Sequence, residues 1–402
     1  MTGVFALDYL KAPTWFKIAK VARYVRLYGP RRTWMKVLAQ IHMRRQYKGA
    51  SVLHKHANGA GHVGLIGCGS FAFSTIGYYL KRNFGSVLRS AMDVDQGRAC
   101  SLGAAYGAGH CTTSSMDLID DPGIDLVYIA SNHASHAEYA IEALGRGKTV
   151  HIEKPHVVSI DQLIRLCSAM MRSIGKVALG FNRPGSPLGV EIQAALFSQD
   201  GPAMLNWFVA GHEIPSDHWY FKPEEGGRVL GNLCHWTDFV YQMIPSGARY
   251  PIRIVPTRSD KADCDIAVTY CFGDGSIAVI SFSAKGHTFE GVRERFAAHR
   301  GNVLISMDDF QSARIETGAR IRRLSTLFRN HGHEQNIVNS YRLVRPSPFA
   351  GKPCSTRYVW ETGELVLRTR EALEHNREII VQGFEESAQK LGIGDQLAAK
   401  RQ

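Results

Sequence analysis

Two rhythms of hydrophobic and polar positions run along this chain. Near the start, "TWFKIAKVARYVRLY" (14–28) sets Ile18, Val21, Ala22 and Val25 on one helical face, with Lys17, Lys20 and Arg23 off it. Gly29-Pro30 ends that helix, and "RRTWMKVLAQIHMRR" predicts a second basic one. "KGASVLHKHANGAG" has no period and reads as a linker. From His62 onward, short apolar runs alternate with helical periods. "HVGLIG", "VLRSAMD", "IDLVYIASN", "TVHIE" and "KVALGFN" are strands; helices follow the first and occupy about 134–146 and 159–174. Such alternation predicts βαβ units and a parallel sheet. Past about residue 200 the strands "AMLNWFVAG", "IRIVPTRS", "CDIAVTYCF", "SIAVISFSAKG", "RERFAAHR" and "NVLISM" succeed one another, several across short turns such as "GDG". They predict a largely antiparallel sheet.

The length, 402 residues, exceeds one ordinary core and fits two domains plus an appendage. Charge is unevenly placed. Residues 1–50 hold eleven Lys/Arg against one acid, Asp8, so this stretch supplies +10 of the net +12. The body is close to neutral and carries no signature of nucleic-acid binding. No apolar run approaches the roughly 18–20 residues of a membrane span, and Asp8 and Lys11 interrupt the early stretch "VFALDYL", which lacks a signal-peptide layout. The eight cysteines (68, 100, 111, 167, 234, 264, 271 and 354) show no CxxC spacing, which predicts reduced thiols and a cytoplasmic protein. His54 and His56 in the linker, and "HGHE" at 331–334, lack supporting ligands, so no metal site is expected.

Candidate chemistry begins at the first strand. It runs into Gly67-Cys68-Gly69-Ser70-Phe71-Ala72 and then a helix, a GxGxxG-type turn ending in alanine. Gly67 permits the tight turn, Gly69 leaves room for a pyrophosphate, and the helix N-terminus offers it free N–H groups. Asp93 ends the next strand, about 20 residues on, placed to accept from the adenine-ribose hydroxyls. No base stands beside Asp93 to meet a 2′-phosphate, so the expected cofactor is NAD in preference to NADP. The fold class expected is thus α/β: a basic helical arm and linker over 1–60, a Rossmann domain over 61–182, and an α/β domain with a largely antiparallel open sheet over 183–402.

The stretch "KTVHIEKPHVVS" (148–159) places Glu153, Lys154 and Pro155 at the end of a buried strand. A charged pair there is costly unless something uses it. With the glycine turn, "VYIASNHASHAEYAIEALGRGKTVHIEKP" resembles the nucleotide-domain signature of the glucose–fructose oxidoreductase/inositol dehydrogenase (Gfo/Idh/MocA) family. "GFNRPGSP" resembles that family's exit from the nucleotide domain, and "DHWYFKPEEGGRVLGNLCHWTDF" its glycine-rich entry to a helix with an inward His. The resemblance runs from about residue 62 to the C-terminus. It implies cofactor contacts from Gly67, Gly69, Ser70, Phe71, Ala72, Asp93, Ser131, Asn132, His136, Glu153 and Lys154. It also implies that Glu153 lies against the nicotinamide end, that Lys154 projects to the substrate hydroxyl from a turn fixed by Pro155, and that His235 reaches the same hydroxyl. Either Lys154 or His235 takes the proton. Many members carry an Asp four residues before that His; here the position is Gly231, and Asn232 beside it cannot relay as an acid. Asn182, Arg183, His218, Trp219, Arg228 and Asn232 are the candidate substrate-pocket residues, the two arginines suiting a diphosphate or an acidic sugar.

The expected activity is hydride transfer between NAD and a secondary hydroxyl or ketone of a sugar or nucleotide sugar, in surface-polysaccharide or sugar-nucleotide metabolism. Two alternatives stay open: a hydrolase or epimerase that oxidises transiently and keeps its NAD, and a non-catalytic sugar-sensing regulator. A homo-oligomer, dimer or tetramer, is expected. For the arm, residues 11–48, two readings stand. In one, Trp15, Ile18, Val21, Val25, Trp34, Val37 and Ile41 pack on the body or across a subunit interface. In the other, the arm attaches peripherally to an anionic membrane at its inner face.

Overall fold

A computed structural model describes residues 13–44, 61–212, 214, 217–258, 265–286, 291–345 and 351–386. His54, His56, Cys264 and most of the linker lie outside these residues. Two helices come first, α1 (Thr14–Tyr28) and α2 (Pro30–His42). Next is β1 (Val63–Ile66), followed by a π-helical stretch, Ala72–Gly77, that continues into α3 (Tyr78–Phe84). Then follow β2 (Leu88–Met92), α4 (Gln96–Tyr106), β3 (His110–Thr112), α5 (Ser115–Ile119), β4 (Leu126–Ile129) and α6 (His133–Gly145). β5 (Thr149–Ile152), α7 (Ile160–Arg172), β6 (Val177–Leu179) and α8 (Pro187–Phe197) lead to β7 (Ala203–His212) and α9 (Cys234–Gln242). Seven strands follow: β8 (Ile252–Arg258), β9 (Ile266–Cys271), β10 (Ile277–Gly286), β11 (Arg293–Arg300), β12 (Val303–Asp308), β13 (Ser312–Thr317) and β14 (Arg320–Ser325). The described chain closes with α10 (His333–Tyr341), α11 (Thr356–His375) and β15 (Ile379–Val381).

Contacts gather into two compact units. One is built on Trp34–Phe181 and His333–Gly363. Its six strands run in the order β3-β2-β1-β4-β5-β6, all parallel. Every residue of β1, β4 and β5 is buried, which is why β1 and β4 read as continuous apolar runs. Val63, Leu65, Ile76, Leu80, Ala91, Leu102 and Tyr128 share one core with Ala39 of α2 and with Ile337 and Tyr341 of α10. Each buried aliphatic side chain contributes about 1.5–3 kcal/mol. The strand order reverses between β1 and β4, the switch point at which such sheets bind ligands outside the strands' C-terminal ends. One expectation fails in this unit: Cys100 of α4 is disulfide-bonded to Cys111 of β3, their Cα atoms 5.4 Å apart. An edge strand packed against its own preceding helix brings the two side chains together. Cys68, Cys167, Cys234, Cys271 and Cys354 are thiols.

The second unit is built on Asn182–Gly332, with described parts of Met1–Thr33 and Glu364–Ser387. Its nine strands run β14-β13-β12-β11-β7-β10-β9-β8-β15, and only the β7–β10 pair is parallel. β7 alternates buried and exposed along its length. Leu205, Trp207 and Val209 face inward, where Trp207 packs against Phe239, Phe296 and Phe310; Met204 and Phe208 stand on the outer face.

Helix α1 is tied to this second unit at its C-terminal end. Arg329 donates to the Leu27 carbonyl (2.8 Å) and to the Tyr28 hydroxyl (3.0 Å). The apolar face identified above is nevertheless turned outward: Trp15 is 70% exposed and Ile18 65%, with Val21 and Val25 also exposed, while Lys17, Lys20 and Arg23 are half-buried. Packing of this face on the chain's own body is therefore corrected. In α2, Trp34 and Ile41 are exposed too, but Ala39 is buried, and Met35 and Leu38 pack on the core of the first unit.

Candidate functional site

The glycine turn sits at the C-terminal end of β1. Gly67 has φ +87°, and a Cβ on it would lie 2.5 Å from the backbone of Ala130 and Ser131. Backbone cannot yield as a flexible side chain would, so position 67 requires glycine. At Gly69 the opposite holds, for a Cβ there would meet nothing within 4 Å. Between them, the Cys68 N–H donates to Asp93 Oδ2 (2.7 Å) and the thiol donates to the Met92 carbonyl (3.3 Å). Burial pushes the Cys68 thiol well up, which keeps it a donor. Asp93 Oδ1 accepts from the Asp95 N–H (2.9 Å). The carboxylate is held by two backbone donors, with acceptor capacity left for hydroxyls. A tight turn, open space beside Gly69 and an oriented carboxylate at the end of β2 fit a dinucleotide. Ser70 and Phe71 are half-buried at the helix entry, and Ala72, in place of a third glycine, is buried.

The turn after β4 presents Ser131 and Asn132. Ser131 Oγ and Ser135 Oγ are 2.7 Å apart, and Asn132 Oδ1 accepts from Ser135 Oγ at 2.7 Å. His136, on the first turns of α6, is buried between two carbonyls, those of Pro155 (2.8 Å) and Ser131 (3.1 Å). Both are acceptors, whereas a neutral imidazole has one N–H. Burial pushes the His136 pKa down, so that N–H goes to the nearer Pro155 carbonyl. This ring ties two turns together and is not itself open to a ligand.

At the end of β5 the Lys154–Pro155 peptide bond is cis. Glu153 is buried, its Oε1 3.1 Å from His151 Nε2, and His151 Nδ1 lies 2.8 Å from Ser340 Oγ. A Cβ at Gly180 would come within 2.6 Å of Glu153 Oε2, so the glycine of "GFN" makes room for the carboxylate. Lys154 is half-buried, close enough to His136 for its charge to lower that ring's basicity. β1, β2, β4 and β5 are parallel neighbours, which brings Gly67–Ala72, Asp93, Ser131, Asn132, Glu153 and Lys154 to one sheet edge.

The remaining candidates belong to the second unit. His235 lies on the first turn of α9, half-buried, and Asn232 just before it keeps a buried Oδ1 with no hydrogen-bond partner. Asn182 is similar: its Nδ2 donates to the His331 carbonyl (2.6 Å) while its buried Oδ1 lacks a partner. A buried, unmatched acceptor is costly until a donor arrives. The two arginines depart from expectation. Arg183 is buried in a two-pronged ion pair with Glu294, itself fully buried, and its guanidinium lies over Trp236. Arg228 donates to the His212 carbonyl and stacks toward Phe282. Desolvation decides both cases, because a cation sealed from water has to be paired from within the fold. His218 accepts from the Tyr220 N–H (3.2 Å), with its pKa pushed down by burial and then by the Arg228 charge. Trp219 beside it is 37% exposed.

Comparison with known proteins agrees with this geometry. The sequence model of the oxidoreductase family with an NAD-binding Rossmann fold, Gfo/Idh/MocA, matches residues 62–181. Residues 62–181 form a Gfo/Idh/MocA-type NAD-binding Rossmann domain. The chain is 31% identical to inositol 2-dehydrogenase 2 of Saccharopolyspora erythraea across 34% of this chain and 40% of that enzyme. It is 27% identical to the scyllo-inositol 2-dehydrogenase (NAD(+)) of Bacillus subtilis across 60% of this chain and 73% of that one. Among solved structures, GenD2 from gentamicin A biosynthesis, in complex with NAD, superposes with TM-score 0.65 at 19% identity, covering 84% of this chain and 99% of GenD2. The first of these matches spans less than half of the relative's length. This Rossmann domain takes NAD, and the turn and carboxylate described above fit it.

Sequence reasoning missed three contributors to this site. His151 and Ser340 stand behind Glu153, and His42 of the arm lies against the glycine turn, its Nε2 2.7 Å from the Cys68 carbonyl. Alternation along "TVHIE" puts His151 on the same side as Glu153, a signal that was present. Nothing local marks His42 or Ser340.

Proposed function

We propose that this chain is an NAD-dependent dehydrogenase acting on a secondary hydroxyl of a sugar or nucleotide sugar. The observation that carries the reading is the shared sheet edge: the dinucleotide turn, Asp93 and the Glu153–Lys154 pair stand at the C-terminal ends of neighbouring parallel strands. Bound there, NAD supplies the hydride acceptor. Glu153, held by His151, orients the cofactor end of the site. Lys154 is the first unit's candidate to take the substrate's proton or stabilise the developing alkoxide, and His235 is the second unit's. Asn232 and Asn182 supply unmatched acceptors suited to sugar hydroxyls, and Trp219 an aromatic face for a sugar ring. With Arg183 and Arg228 both engaged inside the fold, an uncharged sugar or polyol is favoured over a diphosphate-bearing one. The inositol dehydrogenases among the relatives support that class of substrate. The test is a nicotinamide-fluorescence screen over polyols, sugars and nucleotide sugars with the full chain. Tight NAD binding without turnover on any of them would favour a sensor over an enzyme.

The outward apolar face of α1 supports a second element of this reading, peripheral attachment to an anionic membrane. Residues 14–42 contain seven Lys/Arg and no acid, so the same patch on a second copy would repel its like. Anionic lipid complements it, at about 1 kcal/mol per basic residue near the surface. Among the described residues no helix is long and apolar enough to cross a membrane. Oligomerisation is assigned instead to the outer face of the nine-stranded sheet, where Met204, Phe208 and Leu304 are exposed.

A further inference from the structure

His42, the last residue of α2, is 2% exposed. Its ring stacks on Phe73 with centroids 4.4 Å apart, its Nε2 is 2.7 Å from the Cys68 carbonyl, and its Nδ1 is 2.9 Å from Ser101 Oγ. A carbonyl only accepts, so Nε2 carries the hydrogen and Nδ1 accepts from the serine hydroxyl. Burial, then the nearby Arg98, push the imidazole pKa down and keep this tautomer neutral, against the opposing pull of the Cys68 carbonyl.

The Cys68–Gly69 peptide is the middle of the dinucleotide turn. A trans peptide is planar, and its C=O points opposite to the N–H that follows. Cys68 spends its own N–H on Asp93 and its carbonyl on His42. The carbonyl's direction therefore aims the Gly69 N–H away from the arm, at the residue whose Cβ position opens onto empty space. We propose that His42 is a positioning residue for NAD: it locks the Cys68–Gly69 peptide plane and so sets how well the turn binds the cofactor's diphosphate. Part of the cofactor site is thus supplied by the N-terminal arm, outside the matched family segment, 62–181. The inference rests on NAD occupying this turn.

Two full-length variants separate the carbonyl bond from mere packing. His42→Phe keeps a ring to stack on Phe73 but cannot donate; His42→Gln loses the ring but keeps an N–H donor. Calorimetric titration with NAD, ADP and adenosine reads the result, with melting curves confirming the fold. His42→Phe is expected to bind NAD and ADP about tenfold more weakly and adenosine, which lacks the diphosphate, within about twofold of wild type. His42→Gln should recover most of that loss. The proposal is overturned if His42→Phe binds NAD as wild type does, if His42→Gln loses as much as His42→Phe, or if adenosine weakens in step with NAD. Wild-type protein that fails to bind NAD would overturn the cofactor reading and this inference together, a result distinct from all three.

Discussion

Acid should loosen the turn after β5, Glu153–Pro155, through His156. This residue follows the cis Pro155, is 2% exposed, and donates from Nε2 to the Val359 carbonyl (3.0 Å). Its Nδ1 is buried with no partner, so a second proton there would meet no acceptor. Burial holds the pKa down at about 4, the Val359 bond and then the His136 charge being lesser influences. Because the folded value lies below the unfolded one, near 6.5, the unfolded chain binds the proton first. Stability present above pH 6.5 is then lost as pH falls toward 4. Between pH 7 and pH 5 the loss from this one group comes to roughly 2 kcal/mol, a sizeable part of a typical stability of about 5–15 kcal/mol. Urea unfolding at pH 7.5, 6 and 5, for wild type and His156→Gln, measures it. The glutamine amide can still reach the carbonyl but does not titrate, and contributions from other histidines cancel in the difference. The two stability curves should converge by about 2 kcal/mol toward pH 5. Parallel curves would refute the assignment.

Lys154→Ala and His235→Ala should each lower kcat by roughly 10²–10⁴ while the NAD dissociation constant stays within about threefold; loss of NAD binding would give Lys154 a structural role instead. Asp93→Ala should erase a preference for NAD over NADP, since a 2′-phosphate beside that carboxylate faces repulsion of up to about 4 kcal/mol. Unchanged selectivity in parallel titrations would contradict this. Gly180→Ala should cost about 1–3 kcal/mol in melting experiments, because its Cβ would stand 2.6 Å from Glu153 Oε2. Combining it with Glu153→Ala should restore much of that loss. Trp15→Ser with Ile18→Ser should abolish co-sedimentation with anionic vesicles at low salt without changing NAD affinity; wild type that ignores such vesicles ends the membrane reading.

Much of the fold was legible because its signals are local. The all-buried strands β1 and β4 read as apolar runs, and Gly67–Ala72 with Asp93 as a spaced motif. Strand β3 is three residues long and partly exposed, and β14 is almost wholly exposed, so neither shows a hydrophobic period. Orientation was less legible than type: α1 is a helix as read, but its apolar side faces out, and periodicity does not say which way a stripe points. The site divided in the same manner. Glu153 and Lys154 stand where the motif put them. Whether Arg183 was available depended on Glu294, a partner 111 residues away. The ties from His42 to Ser101 and from His151 to Ser340 span 59 and 189 residues, distances at which no spacing rule operates.

The parallel β7–β10 contact at the heart of the nine-stranded sheet bears on how the chain reaches its native state. Strands β8, β9 and β10 can zip as neighbours, and β11 to β14 form an antiparallel ladder in sequence order. Between those two halves only β7 makes the join, and it is synthesised before either. Its partners, Ile277–Gly286 and Arg293–Arg300, arrive more than sixty residues later. Such non-local pairing closes long loops before contacts repay them, and it is slow. Until then β7 offers two unpaired edges flanked by Trp207 and Phe208 to whatever else can pair with a strand. On a ribosome adding about 5–20 residues per second, that interval lasts several seconds. During synthesis this central strand, rather than either outer strand of the finished sheet, is where a chaperone has most to protect.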